Sequence, residues 1–234
     1  MKLVSPYRQS GVWLKGSLHN HTTISECHHP LTTVYRMYSV YDMLAISDHN
    51  LVTPHAEESN IPTLFEAVEV SSPECHMLLV HLPEHLMDHF SYDFSVEHYD
   101  HLSAACIAHG GFSVLVHSNR VYSQDWKLEY MLAMKSYTGI EVINGDGSPQ
   151  YDIAFERWDA VLPHGCRVLG FGKFVTLIGK HGEVLYEQAG RFNELTYTCR
   201  GNEGYVRIAA YLEGGFGAFS QPIFIEQGAD EVVF

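Results

Sequence analysis

Trp13-Leu14-Lys15-Gly16-Ser17-Leu18-His19-Asn20-His21-Thr22-Thr23 is a largely apolar run that closes on two histidines one residue apart. In a β-strand, residues i and i+2 face the same side. His19 and His21 can therefore offer two imidazoles to one cation at a strand's exit. Alone the pattern is weak, and it gains force by repetition. Met43-Leu44-Ala45-Ile46-Ser47 reads as a buried strand and runs into Asp48 and His49. Phe65-Glu66-Ala67-Val68-Glu69-Val70 carries Glu69 near its end. His76 opens Met77-Leu78-Leu79-Val80, and His117 follows Phe112-Ser113-Val114-Leu115-Val116. Glu26 lies in the loop five residues after His21. Ligand-type residues at the ends of successive strands are what a parallel sheet or barrel gathers into one site.

Two more buried strands are read at Gly139-Ile140-Glu141-Val142-Ile143 and Arg167-Val168-Leu169-Gly170-Phe171. Helix-like patterns fall at about 32–41, 97–109, 125–136 and 151–163. This alternation predicts an α/β chain with a parallel sheet or barrel. After about residue 173 the pattern changes to short runs parted by Gly-containing turns, at 174–178, 183–186, 194–199, 205–212 and 222–225. The organisation expected is a barrel with a metal site over 1–172 and a small all-β appendage over 173–234.

Composition narrows the function. With 28 Asp+Glu against 14 Lys+Arg, the net charge is −14, which argues against long nucleic acids, since these are held by basic patches. No apolar h-region opens the sequence and no run nears the ~20 residues of a membrane span. Cys27, Cys75, Cys106, Cys166 and Cys199 are odd in number and scattered, as reduced, mostly buried thiols of a cytoplasmic protein would be. The sixteen histidines are the anomaly. Any one of them is readily a surface or core residue, but the ordered set is not. Imidazole with carboxylate suits Zn²⁺, Fe²⁺ or Mn²⁺, and a glutamate among histidines can bridge two ions that clamp a displacement at phosphorus. His85 and His89 are spaced i,i+4 without the His-Glu-x-x-His pattern. His98, His101 and His109 fit the solvated side or end of a helix, and His28 and His29 lie in a loop close to the site.

Leu18-His19-Asn20-His21-Thr22-Thr23, Ile46-Ser47-Asp48-His49-Asn50 and Leu115-Val116-His117-Ser118-Asn119 resemble the first three motifs of the polymerase-and-histidinol-phosphatase (PHP) family of metal-dependent phosphoesterases. Glu69 and His76 match the glutamate and histidine that ligate metal between them, and Gly139–Asn144 looks like a recurring family strand. The resemblance covers roughly residues 10–172. It implies a distorted seven-stranded (β/α) barrel holding two or three divalent ions. His19 and His21 would take one ion, with Glu69 bridging to a second held by His76 and His117. Glu26, where the family usually has Asp, and His49 would serve a third. Asp48 and Glu141 would orient ligand imidazoles, and Arg120 would clamp phosphate.

One departure stands out. The family's fourth motif places an Asp-x-His after the last barrel strand, yet beyond Gly172 the chain has only Asp230 and His181, neither suitably placed. The ligands are lost, or the remaining ions suffice, or the sequence as it stands lacks a segment between Gly172 and Lys173. The ordinary look of both flanks favours the third. The expected activity is hydrolysis of a small phosphomonoester or nucleotide by metal-activated water. The competing reading is a non-catalytic metal-binding module whose β-domain mediates interaction. A carbon–nitrogen hydrolase ranks last, because no barrel lysine accompanies Asp48-His49. Neither the metal's identity nor the oligomeric state is legible.

Overall fold

The apolar runs form strands joined in sequence order. The structure, a computed structural model, describes residues 2–4, 14–55, 59–87, 90, 92–118, 120, 126–142, 151–164, 169–171, 177–178, 184–186, 196–211, 217–226 and 232–233. After β1 (Lys2–Val4) come β2 (Gly16–Ser17), β3 (Met43–Ile46), β4 (Thr63–Ser71), β5 (His76–Val80), β6 (Phe112–Val116), β7 (Gly139–Glu141) and β8 (Leu169–Phe171). Strands β2 to β8 hydrogen-bond in that order in one sheet. Helices α1 (Leu31–Met37), α2 (Val96–Ala108), α3 (Leu128–Ala133) and α4 (Tyr151–Val161) lie between them in sequence.

The sheet is mixed, where alternation predicted a parallel one. β5 runs antiparallel to both β4 and β6. The reason is the link 72–75, too short for the crossover that a parallel neighbour requires. Ser72 closes that turn: its Oγ accepts from Cys75 N at 3.0 Å and donates to Cys75 O at 3.0 Å.

Alternation along the strands separates two apolar layers. Val68, Val70, Met77, Leu79, Leu115 and Ile140 pack outward against Tyr99, Leu102, Trp126 and Trp158 of the helical layer. Ala45, Ala67, Leu78, Val80, Val114 and Val116 form a second cluster on the opposite face. The period of two puts Glu69 and His76 on that second face. The sheet is strongly curled. His19, just past β2, lies 2.9 Å from Glu141 in β7, although five strand spacings in a flat sheet would part them by roughly 24 Å. The second face is therefore the concave one. No β2–β8 ladder is present among the described residues.

Local signals fix the helices. Ser95 Oγ caps α2 by accepting from His98 N at 3.1 Å, and Gly110 ends it at φ 92°. Gly111 is required by contact: a Cβ there would lie 2.3 Å from Val80 O.

The last third forms β9 (Leu177–Ile178), β10 (Val184–Tyr186), β11 (Thr196–Tyr197), β12 (Tyr205–Tyr211), β13 (Gly217–Phe219), β14 (Ile223–Glu226) and β15 (Val232–Val233). These are antiparallel, in a six-stranded sheet and a separate β11–β15 pair. Lys2–Val4 pair with Phe224–Glu226, so β1 lies in the sheet built by the end of the chain. Gly172, Lys173, His181 and Asp230, on which the fourth-motif question turns, lie outside the described residues, as does Cys166. Among the described residues no helix is long and apolar enough to cross a membrane.

Candidate metal centre

Glu69 leaves β4 on the concave face, with no exposed surface. Its two carboxylate oxygens divide the surrounding histidines. Oε2 lies 3.1 Å from His19 Nε2, 3.0 Å from His21 Nε2 and 3.5 Å from His49 Nδ1. Oε1 lies 2.7 Å from His76 Nδ1 and 3.0 Å from His117 Nε2. The imidazoles form a closed ring around it. Successive centroids from His19 through His21, His49, His76 and His117 back to His19 are 5.2, 4.6, 5.3, 5.4 and 5.3 Å apart.

This arrangement suits cations. Five adjacent imidazoliums would repel one another, whereas unprotonated imidazoles together with a carboxylate can ligate a divalent ion. Burial alone would disfavour the Glu69 anion, but hydrogen bonds from His117, His19, His21 and His76 outweigh it and hold the carboxyl far below its usual range. Burial likewise opposes charge on His19. Hydrogen bonds to Glu141 and Glu69 and their negative charges prevail, and its pKa rises to about 10 without metal. His49 moves the other way, lowered chiefly by burial. His21 Nδ1 is buried with no hydrogen-bond partner.

Polar neighbours aim the rings. Glu141 Oε1 accepts from His19 Nδ1 at 2.9 Å, which leaves Nε2 as the inward atom. Ser71 Oγ gives its only proton to Glu69 O at 3.0 Å, so it accepts from His49 Nδ1 at 2.5 Å. That fixes the His49 tautomer and leaves Nε2 toward Glu26, 3.7 Å away. Asn50, itself at φ 54°, exchanges two hydrogen bonds with the Ser71 backbone, at 2.9 and 2.8 Å. His117 departs from the strand pattern. Alternation would send it outward with Leu115, but its φ of 59° turns the chain, and the ring reaches Glu69. A non-glycine residue persists in this region only where its surroundings over-determine it. Here Glu141 Oε2 accepts His117 N at 2.9 Å, and Ser118 Oγ donates to Glu141 O.

A cavity of about 590 Å³ opens over the ring. Of the residues singled out from sequence, His19, His21, Glu26, His49, Glu69, His76, His117, Arg120 and Glu141 all line it. His28 and His29 do so as well, with Val34 and Met37 of α1 and Tyr38 at its C-terminal cap forming an apolar wall. Asp48 is fully buried beneath, and its partners correct the role implied for it. It accepts from Thr22 N and Oγ1 at 2.7 Å each, and from Ser25 and Thr53 hydroxyls at 2.5 Å each. It clamps the 22–25 loop rather than an imidazole. His85, His101 and His109 are exposed, but His98 is half-buried with Nε2 unpartnered; His89 lies outside the described residues. Cys75, Cys106 and Cys199 are buried and outside any disulfide, and burial pushes Cys106 up to about 11, which excludes it as a ready nucleophile.

The donor set fits divalent cations. His19, His21 and Glu69 form one group of converging ligand atoms, and His49, Glu69 and His76 a second. Sequence reading missed Ser71, Asn50 and Arg157. Hydroxyl, amide and guanidinium groups carry no ligand signature; the His49-to-Ser71 proximity reveals the use of Ser71 and Asn50, and the Arg157 contacts with the Ser118 and Arg120 carbonyls reveal that of Arg157.

No family model and no curated protein matches the chain. Among solved structures it is similar to a two-domain protein from Bacteroides vulgatus ATCC 8482, described as containing a predicted PHP-like metal-dependent phosphoesterase, at 18% identity and a TM-score of 0.47. The match covers 67% of this chain and 50% of that one, so the chain accounts for about half the length of that protein.

Proposed function

We propose that the chain is a metal-dependent phosphoester hydrolase whose barrel, of the seven-stranded PHP type, spans about 1–172, with 173–234 as its β appendage. The observation that carries this reading is a single buried carboxylate whose two oxygens serve separate sets of imidazoles. His19, His21 and Glu69 Oε2 would hold one ion, and Glu69 Oε1, His76 and His117 a second. His49 and Glu26 would hold a third, the longer glutamate reaching from an exposed loop. Zn²⁺, Mn²⁺ or Fe²⁺ suits these donors. Such ions, when bound, supply Lewis acidity toward phosphoryl oxygens and generate a nucleophile from water.

The chain's own groups do the rest. Glu141 and Ser71 hold two rings in the tautomer that presents Nε2, and Asp48 keeps the loop after His21 in place. Arg120, on the cavity wall, is suited to meet the anionic substrate. The cavity fits a small phosphorylated molecule, and a net charge of −14 disfavours long nucleic acid. A cytoplasmic setting agrees with the reduced cysteines.

The test is the His19→Ala/His21→Ala double variant, read for metal content and for phosphate release from small phosphomonoesters and nucleotides. Both should be lost, and undiminished turnover would refute the proposal. The non-catalytic module remains the rival because no Asp-x-His follows Gly172. It predicts tightly bound metal without turnover on any phosphoester.

A further inference from the structure

Arg157 of α4 reaches from the helical layer to the turn that carries His117. Its Nη1 donates to Ser118 O at 2.6 Å and to Arg120 O at 3.0 Å. The same turn is closed by Arg120 N donating to His117 O at 3.0 Å, and it begins at the left-handed His117. Glu141 restrains the turn from the site side, and Arg157 restrains it from outside.

Two residues along α4, about 200° around the helix, Asp159 faces the C-terminal sheet. There Arg207 of β12 is fully buried and pairs with both Asp159 oxygens, Nε to Oδ1 at 3.1 Å and Nη2 to Oδ2 at 2.9 Å. Tyr205 adds its hydroxyl to Oδ1 at 2.6 Å. The guanidinium lies 4.8 Å from the ring centre of Trp158, which is itself fully buried. One helix thus grips the metal-site turn on one flank and is gripped by the second sheet on the other.

We propose that Arg157 is a positioning residue for the metal centre, and that the C-terminal sheet sets its helix through Arg207 and Tyr205. The proposal rests on the metal reading above. A guanidinium spans two carbonyls with donors in a fixed fork, whereas a lysine offers a point charge on a flexible stem. The close-packed layer around Trp158 transmits a shift at Asp159 rather than absorbing it. The Arg157 contacts described above bear on the His117 side of the centre, and the Asp48 clamp holds the His21 loop independently.

The experiment titrates the metal-free full chain with Co²⁺, reading stoichiometry and the cobalt absorption bands, with a melting curve for each variant. In Arg157→Met the ion assigned to His76 and His117 should bind about 10-fold or more weakly, the range for groups that orient a ligand. The ion on His19 and His21 should keep its affinity. Arg157→Lys should lie between, and it serves if the methionine variant does not fold. Arg207→Lys should reproduce the selective weakening. Folded Arg157 variants that bind both ions as the wild type does overturn the proposal. So does equal weakening of both ions in step with a lower melting temperature, the signature of a merely structural role. An Arg207→Lys chain that melts earlier yet binds both ions normally removes the sheet's part. If the wild-type chain binds no cobalt, the metal reading itself falls. If only the Arg157 effect is missing, that reading survives.

Discussion

Asp48 follows β3 and Glu69 lies in the adjacent β4, and both are wholly buried, yet they are satisfied in opposite ways. Asp48 receives four hydrogen bonds from an amide and three hydroxyls, none of which titrates in the working range. Glu69 receives only imidazoles. A carboxylate closed by fixed neutral donors is finished and can only hold the chain. One closed by bases that can exchange a proton for a metal ion is poised for chemistry. Burial and charge do not distinguish the two; the identity of the donors does.

The largest effect should come from breaking the poised member. Glu69→Gln should remove at least one bound ion and lower hydrolysis by more than the about 10–100-fold that loss of a merely orienting group costs. Full metal content with full turnover in that variant would erase the distinction. Asp48→Ala should act on stability instead. Four donors would lose their acceptor, and urea unfolding should register a loss of about 2–4 kcal/mol, with metal stoichiometry intact in the folded fraction. Metal loss without destabilisation would make Asp48 part of the centre.

pH separates the two regions further. His19 in the metal-free fold titrates near 10, above its ordinary 6.5. The stability it contributes is complete below about 6.5 and drains away as pH rises toward 10, by at most about 1.4 kcal/mol per pH unit. Metal needs the imidazoles unprotonated, so its stabilisation grows over the same range. The gap in melting temperature between loaded and metal-free protein should therefore widen with pH, and a constant gap counts against the assignment. Burial of Asp48 is outweighed by hydrogen bonds from Ser25, Thr22 and Thr53, and its pKa falls below 3.8. Its contribution is present above that value and is lost only as the solution is acidified through the lower, folded-state pKa. The smallest effect is expected for Ser71→Ala. Metal should bind about tenfold more weakly, with a stability change of about 1 kcal/mol or less, and an unchanged binding isotherm would show that His49 needs no fixing.

Most positions that line the candidate site were legible because strand ends are legible: an apolar run stops and a histidine or carboxylate follows. Glu69 and His76 also needed only the period of two. His117 shows where that reasoning stops. Its residue type was readable, but its aim depends on a positive φ that the sequence does not mark and that alternation contradicts. The direction of β5 was misjudged because α2, lying between β5 and β6, suggests a parallel crossover. The short 72–75 link, visible in the sequence, argues the reverse. The pairing of β1 with β14 joins positions more than two hundred residues apart, beyond any local pattern. The Arg207–Asp159 pair is equally silent, since neither residue sits in a motif.

The hydroxyl of Ser71 has one further consequence. Because its proton is committed to a backbone carbonyl, the ring N–H of His49 is held as a donor, as that of His19 is by Glu141. Protons locked in this way exchange slowly with solvent and resonate far downfield in a proton spectrum, well clear of the amides. The lines from these two histidines would let the Glu26 side and the Glu141 side of the ring be followed separately, with no label added.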